Sequence, residues 1–150
     1  MADTNSVQYA KIANAATSYS PNAANESRGK IQVEFFEHTC ESESIADTIS
    51  LCQLPANARV LGIKWASADL SAGSATLAIG DADDADRFVA ALDVSSAIAY
   101  DDLVLRSPDA VPTTVGFGYE YSATTVLTAT VAVAALNTGI LAGCVIYVAA

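Results

Sequence analysis

The only histidine of the chain, His38, stands two residues before Cys40. On a strand that spacing turns both side chains to the same side, where an imidazole can take a proton from a thiol. No third group to orient the ring is evident from the spacing, and neighbours of this kind arise often by chance, so the pair is expected to be inert. A single histidine also leaves no His-rich metal cage. Asp81, Asp83, Asp84 and Asp86 form the densest charge run, and carboxylate oxygens are what Ca²⁺ takes. Read as an EF-hand loop from Asp81, the run fails at three places: Ala85 in the fifth position, Asp86 in the sixth where Gly is needed, and Leu92 in the twelfth where Glu is needed. A solvated acidic loop without a structural cation is the expectation. Tyr100, Phe117, Tyr119 and Tyr121 offer aromatic faces that could stack on sugar rings. Because Phe117, Tyr119 and Tyr121 recur at a period of two, the stripe reads more readily as core or protein interface. No phosphate-binding Gly-rich loop, dinucleotide fingerprint, H-E-x-x-H or G-x-S-x-G occurs. The chain is therefore expected to be no enzyme, with no cofactor and no metal site.

The elements that would position these groups are read from composition and periodicity. At 150 residues there is room for one domain with a real core. Much of the 52% hydrophobic content is alanine, which buries little area, so part of the stability is expected to come from neighbours. Seventeen acidic against seven basic residues give a net charge of -10, and no Lys/Arg cluster exists. That removes the phosphate attraction that nucleic-acid binding needs, and it disfavours an anionic membrane surface. Cys40, Cys52 and Cys144 are an odd number without C-x-x-C spacing and are expected as buried free thiols. Val126 to Ala150 carries no charge and is long enough to span a bilayer. Asn137-Thr138-Gly139 interrupts it with turn chemistry, and no Lys or Arg flanks it closer than Arg106, so a buried hairpin is expected instead.

Residues 1 to 28 are rich in Ala, Asn, Ser and Thr, with no basic stretch preceding an apolar one, so neither a secretory signal nor a core element is expected there. They read as an extended N-terminal arm that orders on assembly. Val7, Tyr9, Ile12 and Tyr19 are its sizeable apolar groups and the expected anchors against a neighbour. From residue 29 to 150 the pattern changes to a period of two. Ile31, Val33 and Phe35 share one face against Gln32 and Glu34. Ile49 and Leu51 alternate with Thr48 and Ser50, and Leu54-Pro55-Ala56-Asn57 supplies a turn. Leu61, Ile63 and Trp65 are expected opposite Val60, Gly62 and Lys64, followed by Ala75, Leu77 and Ile79. Phe88 to Val94 suits a short helix or a strand equally, and Leu103 to Leu105 a weak strand. Val115, Phe117, Tyr119 and Tyr121 form another strand face, as do Leu127, Ala129, Val131 and Val133, and Ile140 to Val148 closes the chain. Eight or nine short strands predict an all-β sandwich or barrel, with a jelly-roll-like β-sandwich as the expectation.

Three stretches carry a resemblance. They are Ile49-Ser50-Leu51 through Leu54-Pro55-Ala56-Asn57-Ala58-Arg59-Val60-Leu61-Gly62, then Ala78-Ile79-Gly80-Asp81 through Asp86-Arg87-Phe88, then Gly118-Tyr119-Glu120-Tyr121. In these the sequence resembles capsid decoration (cement) proteins of tailed bacteriophages, over roughly Ile49 to the C-terminus. The resemblance implies an oligomeric jelly-roll-like domain on the outer surface of the virion, partnered with the major capsid protein and with copies of itself, and bridging capsid subunits. Similar phrasing occurs in head fibres and tail components, so a receptor- or glycan-binding module is the alternative.

Overall fold

The computed structural model describes residues 30–71, 73–103 and 118–149, and no helix occurs among them. The expected arm, with Val7, Tyr9, Ile12 and Tyr19, lies outside the described residues, as do Leu105, Val115 and Phe117. Eight strands follow one another: β1 (Lys30–Cys40), β2 (Thr48–Leu54), β3 (Arg59–Ser67), β4 (Thr76–Gly80), β5 (Val89–Asp93), β6 (Ile98–Asp102), β7 (Thr125–Ala132) and β8 (Gly139–Ala149).

They form two four-stranded sheets in the orders β1-β8-β3-β6 and β2-β7-β4-β5. Every pairing is antiparallel. The first strand pairs with the last, the second with the seventh, the third with the sixth and the fourth with the fifth. The chain is thus one long hairpin with its tip between β4 and β5, rolled so that its strand pairs alternate between two sheets. This is the jelly-roll winding, and the expected β-sandwich is what the chain adopts.

The core lies between the sheets. Phe36, Ile63, Trp65, Leu141 and Val145 come from the first sheet and Ile49, Leu54, Leu77, Ile79, Leu127 and Val131 from the second, all of them buried. Phe36 and Trp65 both lie opposite Gly143 of β8, one on each side, and their rings meet 5.6 Å apart. A Cβ on Gly143 would lie 2.1 Å from the Lys64 carbonyl oxygen and 2.6 Å from Phe36 Cζ. The missing side chain is what lets two aromatic rings close over the middle strand, an arrangement in which each buried ring contributes about 2 to 3 kcal/mol of transfer free energy.

Several expectations change at this level. In β1 the apolar set Ile31, Val33 and Phe35 points outward, while Phe36 and Cys40 face the core. Period two identified a shared face but not its direction, and Phe35-Phe36 offers an aromatic to either side. In β3 the register shifts between Val60 and Gly62, a bulge that brings Val60 to the same side as Ile63 and Trp65 and leaves Leu61 half-buried. Phe88 to Val94 resolves as β5, because Leu77 and Ile79 of β4 pair with Leu92 and Val89. Strand β6 ends at Asp102, and of the expected Leu103 to Leu105 strand only Leu103 is among the described residues, in the turn that follows β6. β7 and β8 belong to different sheets and make no hairpin. Val133 is exposed at φ 69°, outside the core face it was expected to extend. Tyr119 and Tyr121 lie in a short stretch that makes an isolated Arg59–Glu120 bridge and backbone hydrogen bonds with Asn57, Ala58 and Val60, not in a regular strand. No helix of the described residues is long and apolar enough to cross a membrane.

Candidate interaction surface

Register decides which side chains share the outer face of the first sheet. Ile31 lies opposite Val148, Val33 opposite Ile146 and Phe35 opposite Cys144, and on the other flank of β8, Lys64 lies opposite Cys144 and Ala66 opposite Ala142. Phe35 is 77% exposed and Ile31 69%, and Val33 and Ile140 are exposed beside them. The small residues Ala66, Ala142, Gly143 and Cys144 leave a trough of about 530 Å³ between the Phe35 ring and the Lys64–Tyr100 pair. Lys64 Nζ donates to Asp102 Oδ1 at 2.8 Å and to the Tyr100 hydroxyl, and lies 4.8 Å from the Tyr100 ring centroid. Those hydrogen bonds, to Asp102 first and Tyr100 second, hold the ammonium above the usual lysine range. Chemically the face offers an apolar wall, a floor of small residues and one held cation. Such a face can take an apolar ridge of a partner.

The charge run behaves differently from expectation. Asp81 is 3% exposed and not solvated, although Ala82, Asp83, Ala85 and Asp86 around it are exposed. Its Oδ1 accepts the backbone N–H groups of Asp83 and Asp84 at 2.9 and 3.0 Å. Its Oδ2 accepts from Arg87 Nε at 2.5 Å and from the Tyr121 hydroxyl at 2.8 Å. The Arg87 guanidinium lies 3.9 Å from the Tyr119 ring centroid, and Tyr119 meets Tyr121 edge-on at 5.0 Å. Gly80 permits the tight return, since a Cβ there would lie 2.1 Å from the Asp84 carbonyl oxygen. Burial raises the Asp81 carboxyl, but Arg87, Tyr121 and the two N–H groups outweigh it and hold it below its ordinary value. The knot ties the β4–β5 connection to residues 118–121. It also separates the described members of the aromatic set, because Tyr121 is buried and Tyr119 is stacked on Arg87 while Tyr100 belongs to the trough. A sugar platform made of all three is not assembled.

His38 and Cys40 do share a face, and the third group that spacing did not reveal is Glu43. His38 Nε2 donates to Glu43 Oε1 at 2.8 Å, and the backbone N–H groups of Glu41 and Ser42 reach Oε2 at 3.2 and 3.3 Å. Burial acts to raise the Glu43 carboxyl, yet the His38 hydrogen bond and the N–H groups together keep it below its usual range. Burial first, and the Glu43 carboxylate second, push the Cys40 thiol up to about 11. The thiol is therefore protonated at neutral pH and its histidine is turned to Glu43, so the pair holds no activated nucleophile. Cys40 and Cys144 are buried, Cys52 is half-buried, and none is in a disulfide.

No protein-family model matches the chain. No curated protein matches it. Among solved structures, a chain of the cyanophage Pam1 capsid asymmetric unit is similar over 100% of both chains, with a TM-score of 0.67 and 24% identity. A chain of the capsid of Ralstonia phage GP4 is similar over 81% of this chain and 86% of its own length, with a TM-score of 0.64 and 18% identity. At such identities the likeness is one of fold, and in fold this jelly roll, with eight strands among the described residues, is similar to chains of two phage capsids.

Proposed function

We propose that this protein is a structural component of a phage virion, seated on the outside of the capsid, where it stabilises the shell by bridging major capsid protein subunits without any turnover. The observation that carries the reading is the likeness in fold, over the full length of both chains, to a chain of a phage capsid asymmetric unit. The exposed face of Ile31, Val33 and Phe35 supports it, since an apolar sheet face of that kind is characteristic of protein contact. Residues 1 to 28, ahead of β1, which begins at Lys30, act as the attachment arm, with Val7, Tyr9, Ile12 and Tyr19 as anchors on the shell or on a neighbouring copy. The net charge of -10 favours a partner surface that is neutral or basic. A glycan-binding role is not taken up, because the aromatic side chains it would need are divided between the trough and the Asp81 knot.

Mass-spectrometric counting of this protein per purified mature particle tests the proposal. A fixed stoichiometry across preparations, together with labelling by a membrane-impermeant reagent on intact particles, is the expected result. A ratio that varies freely, or a chain labelled only after the capsid is opened, overturns it. Removal of residues 1 to 28 should leave the domain folded while weakening retention on particles at least tenfold. Unchanged retention would show the arm to be a passenger.

A further inference from the structure

At the turn after β1 three different metal-binding side chains converge. A ring nitrogen of His38, Cys40 Sγ and a Glu43 carboxylate oxygen all lie within 4.8 Å of one another, and no other group of three or more His, Cys, Asp or Glu residues among the described residues does so. We propose that His38, Cys40 and Glu43 form a binding site for one zinc-class divalent cation, held by a nitrogen, a sulfur and an oxygen, with a fourth position open to water.

The donor set is one that such a cation prefers over calcium or magnesium, which take oxygen ligands only. With bonds of about 2.1 Å to nitrogen and oxygen and about 2.3 Å to sulfur, tetrahedral neighbours sit about 3.5 Å apart, so closure from spacings of at most 4.8 Å requires shifts of little more than an ångström. Glu43 is already held for it. Oε2 receives the N–H groups of Glu41 and Ser42, which leaves Oε1 turned to His38. Those N–H groups are the outer-shell support that fixes a carboxylate ligand. The backbone makes this geometry by an uncommon route, since Ser42 has φ 119° and Ala46 φ 74°, and the Glu43 carbonyl is tied down by the Leu136 N–H at 2.9 Å. Access is from the solvent side, because the His38 side chain is 37% exposed and that of Glu43 18%, while Cys40 closes the inner side at 0%. On loading, the Cys40 S–H bond breaks, its proton passes to solvent and a sulfur–metal bond forms. The His38 Nε2 lone pair binds the metal, the ring proton resides on Nδ1, and the hydrogen bond to Oε1 is replaced by the shared ion. This inference rests on the β1 turn alone and is independent of what the protein attaches to.

Titration of the reduced, metal-stripped full chain with cobalt(II) chloride, followed by zinc chloride, tests the site. The expected result is a thiolate-to-cobalt charge-transfer band that saturates at one equivalent and is abolished by zinc. Zinc at 100 times its dissociation constant should raise Tm by about 5 °C or more. Cys40→Ser should abolish the band, whereas Cys52→Ser and Cys144→Ser should keep it. If Cys40→Ser does not fold, His38→Gln, at a more exposed position, must weaken cobalt binding at least tenfold. Absence of the band in the native chain, its persistence in Cys40→Ser, or unaltered affinity in His38→Gln overturns the proposal.

Discussion

The Asp81 knot and the outer face of the first sheet are opposites in chemistry and in exposure. At the knot a charge is buried and fully satisfied, with two backbone N–H groups, one guanidinium and one phenol converging on a single carboxylate. On the outer face apolar side chains stand in water, with Phe35 77% exposed. A buried charge costs several kcal/mol of desolvation unless its partners are supplied by the same chain, and here they are. An exposed phenylalanine contributes little burial free energy to its own fold. The knot thus completes its polar contacts within the chain, while the outer face leaves apolar side chains open to solvent.

Three measurements would break or sharpen that contrast. The largest effect should come from Asp81→Ala, which strands Arg87 and the Tyr121 hydroxyl at the knot. A loss of about 3 kcal/mol is expected from removal of one member of a buried pair, read by denaturant unfolding, and about 10 °C in Tm. A loss below about 1 kcal/mol would mean that the knot is ornamental.

A smaller effect should follow from acid. The folded Asp81 carboxyl lies below its ordinary value of 3.8, so its contribution is fully present above that value and is lost as pH falls from about 4 through the lower folded value. Glu43 and Asp93 are also lowered and act in the same direction. The difference between the native chain and Asp81→Asn isolates the knot. The two stability curves should be separated and parallel between pH 5 and 7, and converge below about pH 4. Curves that remain parallel through the acid range would deny Asp81 this role.

The smallest effect on folding is expected from the other region. Ile31→Ser combined with Phe35→Ser should change stability by no more than about 0.5 kcal/mol, as for exposed sites in general, while retention on particles drops at least tenfold. A domain that melts markedly earlier with these two changes would place the face in the core of the free protein, and the contrast would collapse.

The alternation of apolar and polar residues was sufficient to locate most strands and the class of fold, because side-chain alternation is a property of the extended backbone itself and is written locally. Leu77 and Ile79, or Leu127, Ala129 and Val131, needed nothing beyond their own segments to be read as a buried face. Composition likewise determined the net charge of -10 and the lack of recognised catalytic motifs. Which way β1 faces was not local information. Phe36, and not Phe35, turns inward because β1 pairs with β8, whose Gly143 opens the space over which Phe36 and Trp65 meet. The burial of one aspartate among four, and the arrival of Glu43 beside His38 and Cys40, were equally illegible. The first depends on Tyr121 from a distant segment and the second on left-handed backbone at the turn. Local periodicity thus determined the strands, while pairing between distant segments decided inside from outside, since burial is a relation between parts of the chain and not a property of any one of them.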